Sequence, residues 1–193
     1  MEDRELVQRL LDNDEAAFNY FWETYYPRLL RFAKTLVHYD QDTAEDLTQE
    51  IFIHCLEKID QFEHKSTLST WLMRILYYKA LHVQRKASRH TSLYGEDCEG
   101  EEVDMVSQIA SHGVSPDQAL AWKEAMAHYQ EALDTLKDAE RTAWVLRQEE
   151  GLNYDEIVEV LGKTANTWRI SICRTKERIV EMMGKDYLAA LMR

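Results

Sequence analysis

Apolar residues recur three and four positions apart along most of the chain, and the alternation typical of strands is nearly absent. The pattern predicts an all-α protein. Asp3 to Leu11 carries Leu6, Val7, Leu10 and Leu11 on one stripe. Asp14 is placed to cap a second helix with Phe18, Phe21, Tyr25 and Tyr26 inward. Pro27 either interrupts that helix or starts the next, and Leu29, Leu30, Ala33, Leu36 and Val37 continue the stripe. Asp42, with Glu45 three residues on, reads as a capping-box-like start to a helix burying Ala44, Leu47, Ile51, Cys55 and Ile59. Its outward face then holds Glu45, Asp46, Gln49 and Glu50. After the polar loop QFEHKSTLST comes a helix with Trp71, Leu72, Ile75, Leu76, Ala80 and Val83 on one side. The aromatic side chains of this first bundle are expected in its core, where rings contribute most burial.

Periodicity lapses from Thr91 to Ser115, a stretch with Gly95, Gly100, Gly113 and the run EDCEGEEVD. It reads as a flexible acidic linker. A solvated spacer is the favoured form of it, and docking of Val103, Met105, Val106 and Ile109 the other. Helical spacing resumes at Pro116 with Ala119, Trp122, Met126, Tyr129 and Leu133, and again from Asp138 to Glu150 with Ala143, Val145 and Leu146. Gly151 suits a C-terminal cap. Asn153, with Glu156 three residues on, starts a short helix that ends at Gly162. Thr164 can cap a last long helix with Trp168, Ile172, Thr175 and Ile179 inward. A short helix, a turn and a longer helix form the helix-turn-helix pattern. The expected organisation is two small helical domains, residues 1–90 and 116–193, joined by linker 91–115.

Charge qualifies the nucleic-acid reading. The 193 residues carry a net charge of −12, unfavourable for phosphate contact if it were spread evenly. Acid instead concentrates in Asp40–Glu50 and Glu96–Asp104, and base in Arg74–Arg89 and Lys163–Arg178. From Trp71 to His90 there is no acidic residue. Local faces decide where DNA can sit. No stretch approaches the ~20 apolar residues of a membrane span, so no membrane insertion is expected. The N-terminus lacks the basic segment and apolar run of a signal peptide. Three widely spaced cysteines give neither a disulfide framework nor a zinc signature, and a cytoplasmic location fits. No nucleophile–base or metal-ligand spacing is present, so neither an enzyme nor a cofactor is expected.

The order A-E-D-L-x-Q-E-x-F, a loop, W-L-x-x-I and a basic tail, from Ala44 to Lys86, resembles the bacterial extracytoplasmic-function sigma factors. GLNYDEIVEVLGKTANTWRISICRTKERI resembles the C-terminal promoter-binding domain of the same family, which reads G-L-S-Y-x-E-I-A-x-x-L-G, then T-V-K-S-R-L, then R-A-R. The resemblance implies an alternative sigma factor with three partners: core RNA polymerase, promoter DNA and an anti-sigma factor. It implies that Glu45, Asp46, Gln49 and Glu50 dock on a coiled coil of the largest polymerase subunit. It assigns melted minus-ten DNA to Lys65, Ser66, Thr67, Ser69, Trp71, Arg74, Tyr78, Lys79, Arg85 and Lys86. It assigns the minus-thirty-five duplex to Asn166, Thr167, Arg169, Ile170, Ser171 and Arg174. Cations there can take guanine edges or phosphates, and Ile170 a thymine methyl.

Departures from the family pattern fall on DNA-facing positions. Tyr78 stands seven residues after Trp71 where the family has Asn, and Ile170-Ser171 replaces a Ser-Arg pair. Trp168 takes an inward Val position, and Lys137 stands where the family has Pro. The missing Arg and the acidic balance motivate an alternative, a sigma-like regulator that binds an anti-sigma protein without binding DNA.

Overall fold

The computed structural model describes the backbone of residues 1–91 and 116–183, with side chains described for 1–85 and 123–183. Residues 92–115 and 184–193, and the side chains of Lys86, Ala119 and Trp122, lie outside what is described. Eight α-helices form the described part. They are α1 (Asp3–Leu11), α2 (Glu15–Leu36), α3 (Gln41–Lys58), α4 (Leu68–Thr91), α5 (Pro116–Asp134), α6 (Asp138–Gln148), α7 (Tyr154–Leu161) and α8 (Ala165–Met183). A single 3-10 turn, Ile59–Gln61, follows α3.

Two corrections concern where helices begin and break. Helix α2 runs through Pro27 without a break. A proline inside a helix removes one hydrogen bond and costs about 3 kcal/mol. Here Pro27 is exposed, while Phe21 and Tyr25 before it and Leu29 and Phe32 after it are buried along one stripe. Burying such side chains yields about 1.5–3 kcal/mol each, so the continuous stripe outweighs the proline. Helix α3 is capped by Asp40, not Asp42; the Asp40 carboxylate accepts from Thr43 N at 2.7 Å. Hydrogen bonding from the Thr43 side chain, and then from its backbone N–H, holds the Asp40 carboxyl below the usual carboxylate range. Glu45 bonds the side chain of Gln41 instead of closing a capping box. Asp40→Ala is expected to cost about 1 kcal/mol, read as a lower urea midpoint with an unchanged slope.

Other starts follow the sequence. Asp14 Oδ1 accepts from Ala16 N and Ala17 N at the head of α2. Asn153 and Glu156 complete a capping box on α7, and Thr164 Oγ1 accepts from Thr167 N before α8. Between α7 and α8 the backbone turns through Gly162 (φ 73°, ψ −159°) and Lys163 (φ 63°). That conformation of Gly162 is open to little but glycine. Trp168 is buried under this turn and donates its indole N–H to Gly162 O at 2.7 Å. The bulkier ring is thus accommodated with its polar atom satisfied.

Helices α1–α4 pack around α2, and α5–α8 pack around α8. Their buried side chains form one apolar cluster from Leu6 to Met183, because α2 rests on α6 and α4 on α7. Cys55 lies in that core, where burial pushes its thiol up to about 12, while Cys173 is exposed on α8.

Candidate functional site

The outward face of α3 is mostly as expected. Asp46, Gln49 and Glu50 are exposed, whereas Glu45 is half-buried against Gln41. One turn further along the same face stands Ile53, 62% exposed. On α2, Trp22 (48% exposed) stacks on Tyr26 with ring centroids 4.2 Å apart, and its edge meets Phe52 of α3 at 5.0 Å. Not every aromatic of this bundle is core, therefore. Periodicity places Trp22 one step off the buried stripe, and that offset was its only sequence signal.

The loop before α4 is polar and tightly held. His64 adopts φ 55°, and its ring edge meets Phe62 at 4.6 Å. Trp71 is half-buried against Phe62, 5.4 Å between centroids. Lys65 pairs with Glu63 in water. The start of α4 is capped by Thr67, whose Oγ1 accepts from Thr70 N at 3.1 Å, and by Asp3, which accepts from Leu68 N at 2.7 Å. Ser66 and Ser69 are half-buried and Thr67 is exposed.

Along α4, Arg74, Tyr78 and Arg85 are exposed. Tyr78 is 52% exposed and meets Tyr77 edge-on at 5.6 Å. Lys79 pairs with Glu50 at 2.5 Å, both partly exposed. The sequence assigned those two residues to different partners. A water-exposed pair contributes about 0–1 kcal/mol, so either partner can displace it.

On α8 the residues Asn166, Thr167, Arg169, Ile170, Cys173 and Arg174 are exposed. Ser171 is half-buried, so it lies at the border of this face rather than on its crest. Arg169 rests on the ring of Tyr154 at 5.1 Å, with Arg147 against the same ring at 5.1 Å. Tyr154, the first residue of α7, thereby orients Arg169, a contact the sequence pattern did not announce.

The two helix groups also meet through polar contacts that sequence reasoning did not find. Glu150, with a side chain only 1% exposed, receives Arg28 Nε at 2.9 Å and lies 3.6 Å from Arg31. Thr70 donates to Glu156 Oε1 at 3.1 Å, with the Thr67 hydroxyl 3.4 Å from the same oxygen. These partners are separated by 86 to 122 residues, beyond the reach of any local pattern.

Among the described residues there is no group of side chains that could hold a metal. No described helix is long and apolar enough to cross a membrane.

Comparison with known proteins agrees with this layout. The family described as Sigma-70 region 2 matches residues 21–90, and Sigma-70, region 4 matches residues 128–179. The RNA polymerase sigma-H factor of Pseudomonas aeruginosa is 31% identical over 181 residues, covering 92% of each chain. The ECF RNA polymerase sigma factor SigW of Bacillus subtilis is 29% identical over 173 residues, covering 90% of this chain and 92% of that one. Among solved structures, the sigma factor RpoE of Bartonella quintana, in complex with the anti-sigma factor NepR, superposes with a TM-score of 0.71. It shares 26% identity and covers 88% of this chain and 98% of that one. With both regions matched in order and a relative above 30% identity along nearly its full length, this chain belongs to the extracytoplasmic-function sigma factors, which bind core RNA polymerase and direct it to promoters.

Proposed function

We propose a division of labour within this sigma factor. Residues 1–90 dock core polymerase and capture the melted minus-ten element. Residues 116–193 bind the minus-thirty-five duplex, and residues 91–115 connect the two. The observation that carries this reading is the pairing of faces on adjacent helices. An acidic, partly apolar face on α3 stands beside α4, whose exposed side chains include Arg74, Tyr78 and Arg85 and no acid.

In this reading Asp46, Gln49 and Glu50, with Glu45 behind them, meet polymerase, and Trp22 and Ile53 extend that surface. An apolar patch beside charged and polar residues is common anatomy for a protein interface. Lys65, Ser66 and Thr67 of the loop, with Ser69 at the head of α4, receive an unstacked base, with Trp71 as its wall. Arg74, Tyr78, Lys79, Arg85 and Lys86 form the strand track. Asn166, Thr167, Arg169, Ile170 and Arg174 enter the major groove, with Ser171 at the margin. The protein works in the cytoplasm by binding, without turnover of its own, and is restrained by an anti-sigma factor. The complex of the Bartonella relative with NepR supports that last partner. The regulator that avoids DNA is the weaker alternative, because Arg169 and Arg174 stay exposed on the recognition helix.

Asp46→Ala with Glu50→Ala is expected to weaken core polymerase binding about tenfold, or ~1.4 kcal/mol, with helicity retained. Unchanged affinity in a titration of labelled chain with core enzyme would remove the docking assignment.

Ser171→Arg is expected to tighten duplex binding and steepen its salt slope by up to about one phosphate contact. An unchanged slope would place residue 171 off the DNA face.

A further inference from the structure

At the head of α4, Glu156 of the C-terminal group faces two hydroxyls. Glu156 uses Oε2 to close the α7 capping box on Asn153 N at 2.8 Å. Its other oxygen, Oε1, is directed at the hydroxyls of Thr70 and Thr67. Six residues earlier, Glu150 is buried against Arg28 and Arg31 of α2. Two carboxylates from the C-terminal group thus take hydroxyl and guanidinium donors at the head of α4 and along α2. Donors of that kind also suit DNA phosphates and base edges.

We propose that the segment from Glu150 to Glu156 is an intramolecular anionic occupant of the minus-ten loop, so that closure of the two helix groups and capture of melted DNA exclude one another. The inference rests on the assignment of Thr67 and its neighbours to minus-ten DNA.

The contact is suited to reversal. The Glu150 carboxylate, buried against Arg28 and Arg31, gains little net energy, because desolvation offsets attraction. The seam is also incompletely filled. A polar cleft of about 310 Å³ lies between the groups, lined by Asp3, Arg28, Thr67, Ser69, Glu150 and Glu156. Ser69 Oγ has no hydrogen-bond partner within the protein, and Glu150 Oε1 has only the long ion pair to Arg31 at 3.6 Å. A permanent interface satisfies such atoms; one that opens exposes them to water. Closure then acts as a tax on strand binding. If the closed form holds about nine-tenths of free molecules, apparent affinity for a strand falls about tenfold.

The test compares full-length wild type with Glu150→Gln/Glu156→Gln. Glutamine keeps the capping box on α7 while removing both charges. Binding of a short fluorescent single-stranded DNA of mixed sequence is followed by anisotropy, and compactness by small-angle X-ray scattering. The expected result is a larger radius and about tenfold tighter strand binding. Glu159→Gln/Glu177→Gln removes the same charge from exposed positions and is expected to give a much smaller gain. An equal gain from that control overturns the proposal, as does expansion without a gain or an unchanged radius. A charge swap guards against misfolding: Arg28→Glu is expected to open the chain, and adding Glu150→Arg to close it again. Failure of that rescue also counts against the proposal. Open-complex formation by holoenzyme carrying Arg74→Ala and Arg85→Ala tests the minus-ten assignment separately. If those variants fail there while the carboxylate variants change nothing in the free chain, the assignment stands and the occupant is rejected.

Discussion

Trp144→Ala is expected to destabilise the C-terminal helix group by about 3–5 kcal/mol, the range for removing a fully buried large ring. Trp144 is 1% exposed at the centre of α6, among Ala143, Val145, Leu146 and the helices that wrap α8. Its indole N–H donates to the Tyr129 hydroxyl at 2.8 Å, and Tyr129 donates onward to Glu149 at 3.0 Å. Burial pushes the ionisation of Tyr129 up, so the hydroxyl keeps its proton and the relay survives at any physiological pH. Alanine would leave a cavity that rigid helices fill only in part. In a chain of this size each kcal/mol shifts the melting midpoint by roughly 2–4 °C, so a loss of about 10 °C is expected by circular dichroism. Trp144→Phe keeps most of the apolar area and loses one hydrogen bond, so it should cost about 1 kcal/mol. Alanine and phenylalanine variants melting together would mean that volume at this position is not what holds the group.

That core was only partly legible in the sequence. Ala143, Val145 and Leu146 stand out by spacing, and Trp168, Ile172, Thr175 and Ile179 are buried as their periodicity predicts. Arg141 was not foreseeable. Its side chain is 2% exposed and paired with Asp138 at 2.8 Å and Asp134 at 3.3 Å. Pattern reasoning assigns charge to water, and only the local supply of two carboxylates allows burial. The α2 break failed for a related reason. Propensity weighs Pro27 alone, whereas packing on both sides of it decides.

The candidate sites divide in the same way. Asp46, Gln49 and Glu50 on α3, and Asn166, Arg169 and Arg174 on α8, could be placed because one helix fixes which residues share a face. Exposure of Trp22 and Ile53 could not, since it depends on what neighbouring helices leave uncovered. Pairing of Lys79 with Glu50, and of Arg28 with Glu150, needs the fold itself. A helical period carries no information about a partner on another helix.

Tyr78→Ala is expected to weaken binding of single-stranded minus-ten DNA by roughly 5- to 150-fold, the equivalent of about 1–3 kcal/mol for one stacked base. The family pattern has Asn here, and the chain instead presents a large ring that is 52% exposed on an acid-free helix. Tyr77 meets it edge-on and restricts its movement. Arg74, one turn before it, and Arg85, two turns after it, supply cations for the adjoining phosphates. An exposed ring contributes little to the core, so the alanine variant should melt near wild type. Tyr78→Phe separates stacking from hydrogen bonding. If the ring face does the binding, phenylalanine retains most of the affinity. If the hydroxyl reads a base edge, phenylalanine falls with alanine. Tyr78→Asn exchanges stacking for an amide that can read base edges, and is expected to lower affinity while sharpening sequence preference. Duplex binding through α8 should not change in any of the three variants. Equal strand affinity for wild type and Tyr78→Ala would show that the ring does not meet the melted strand.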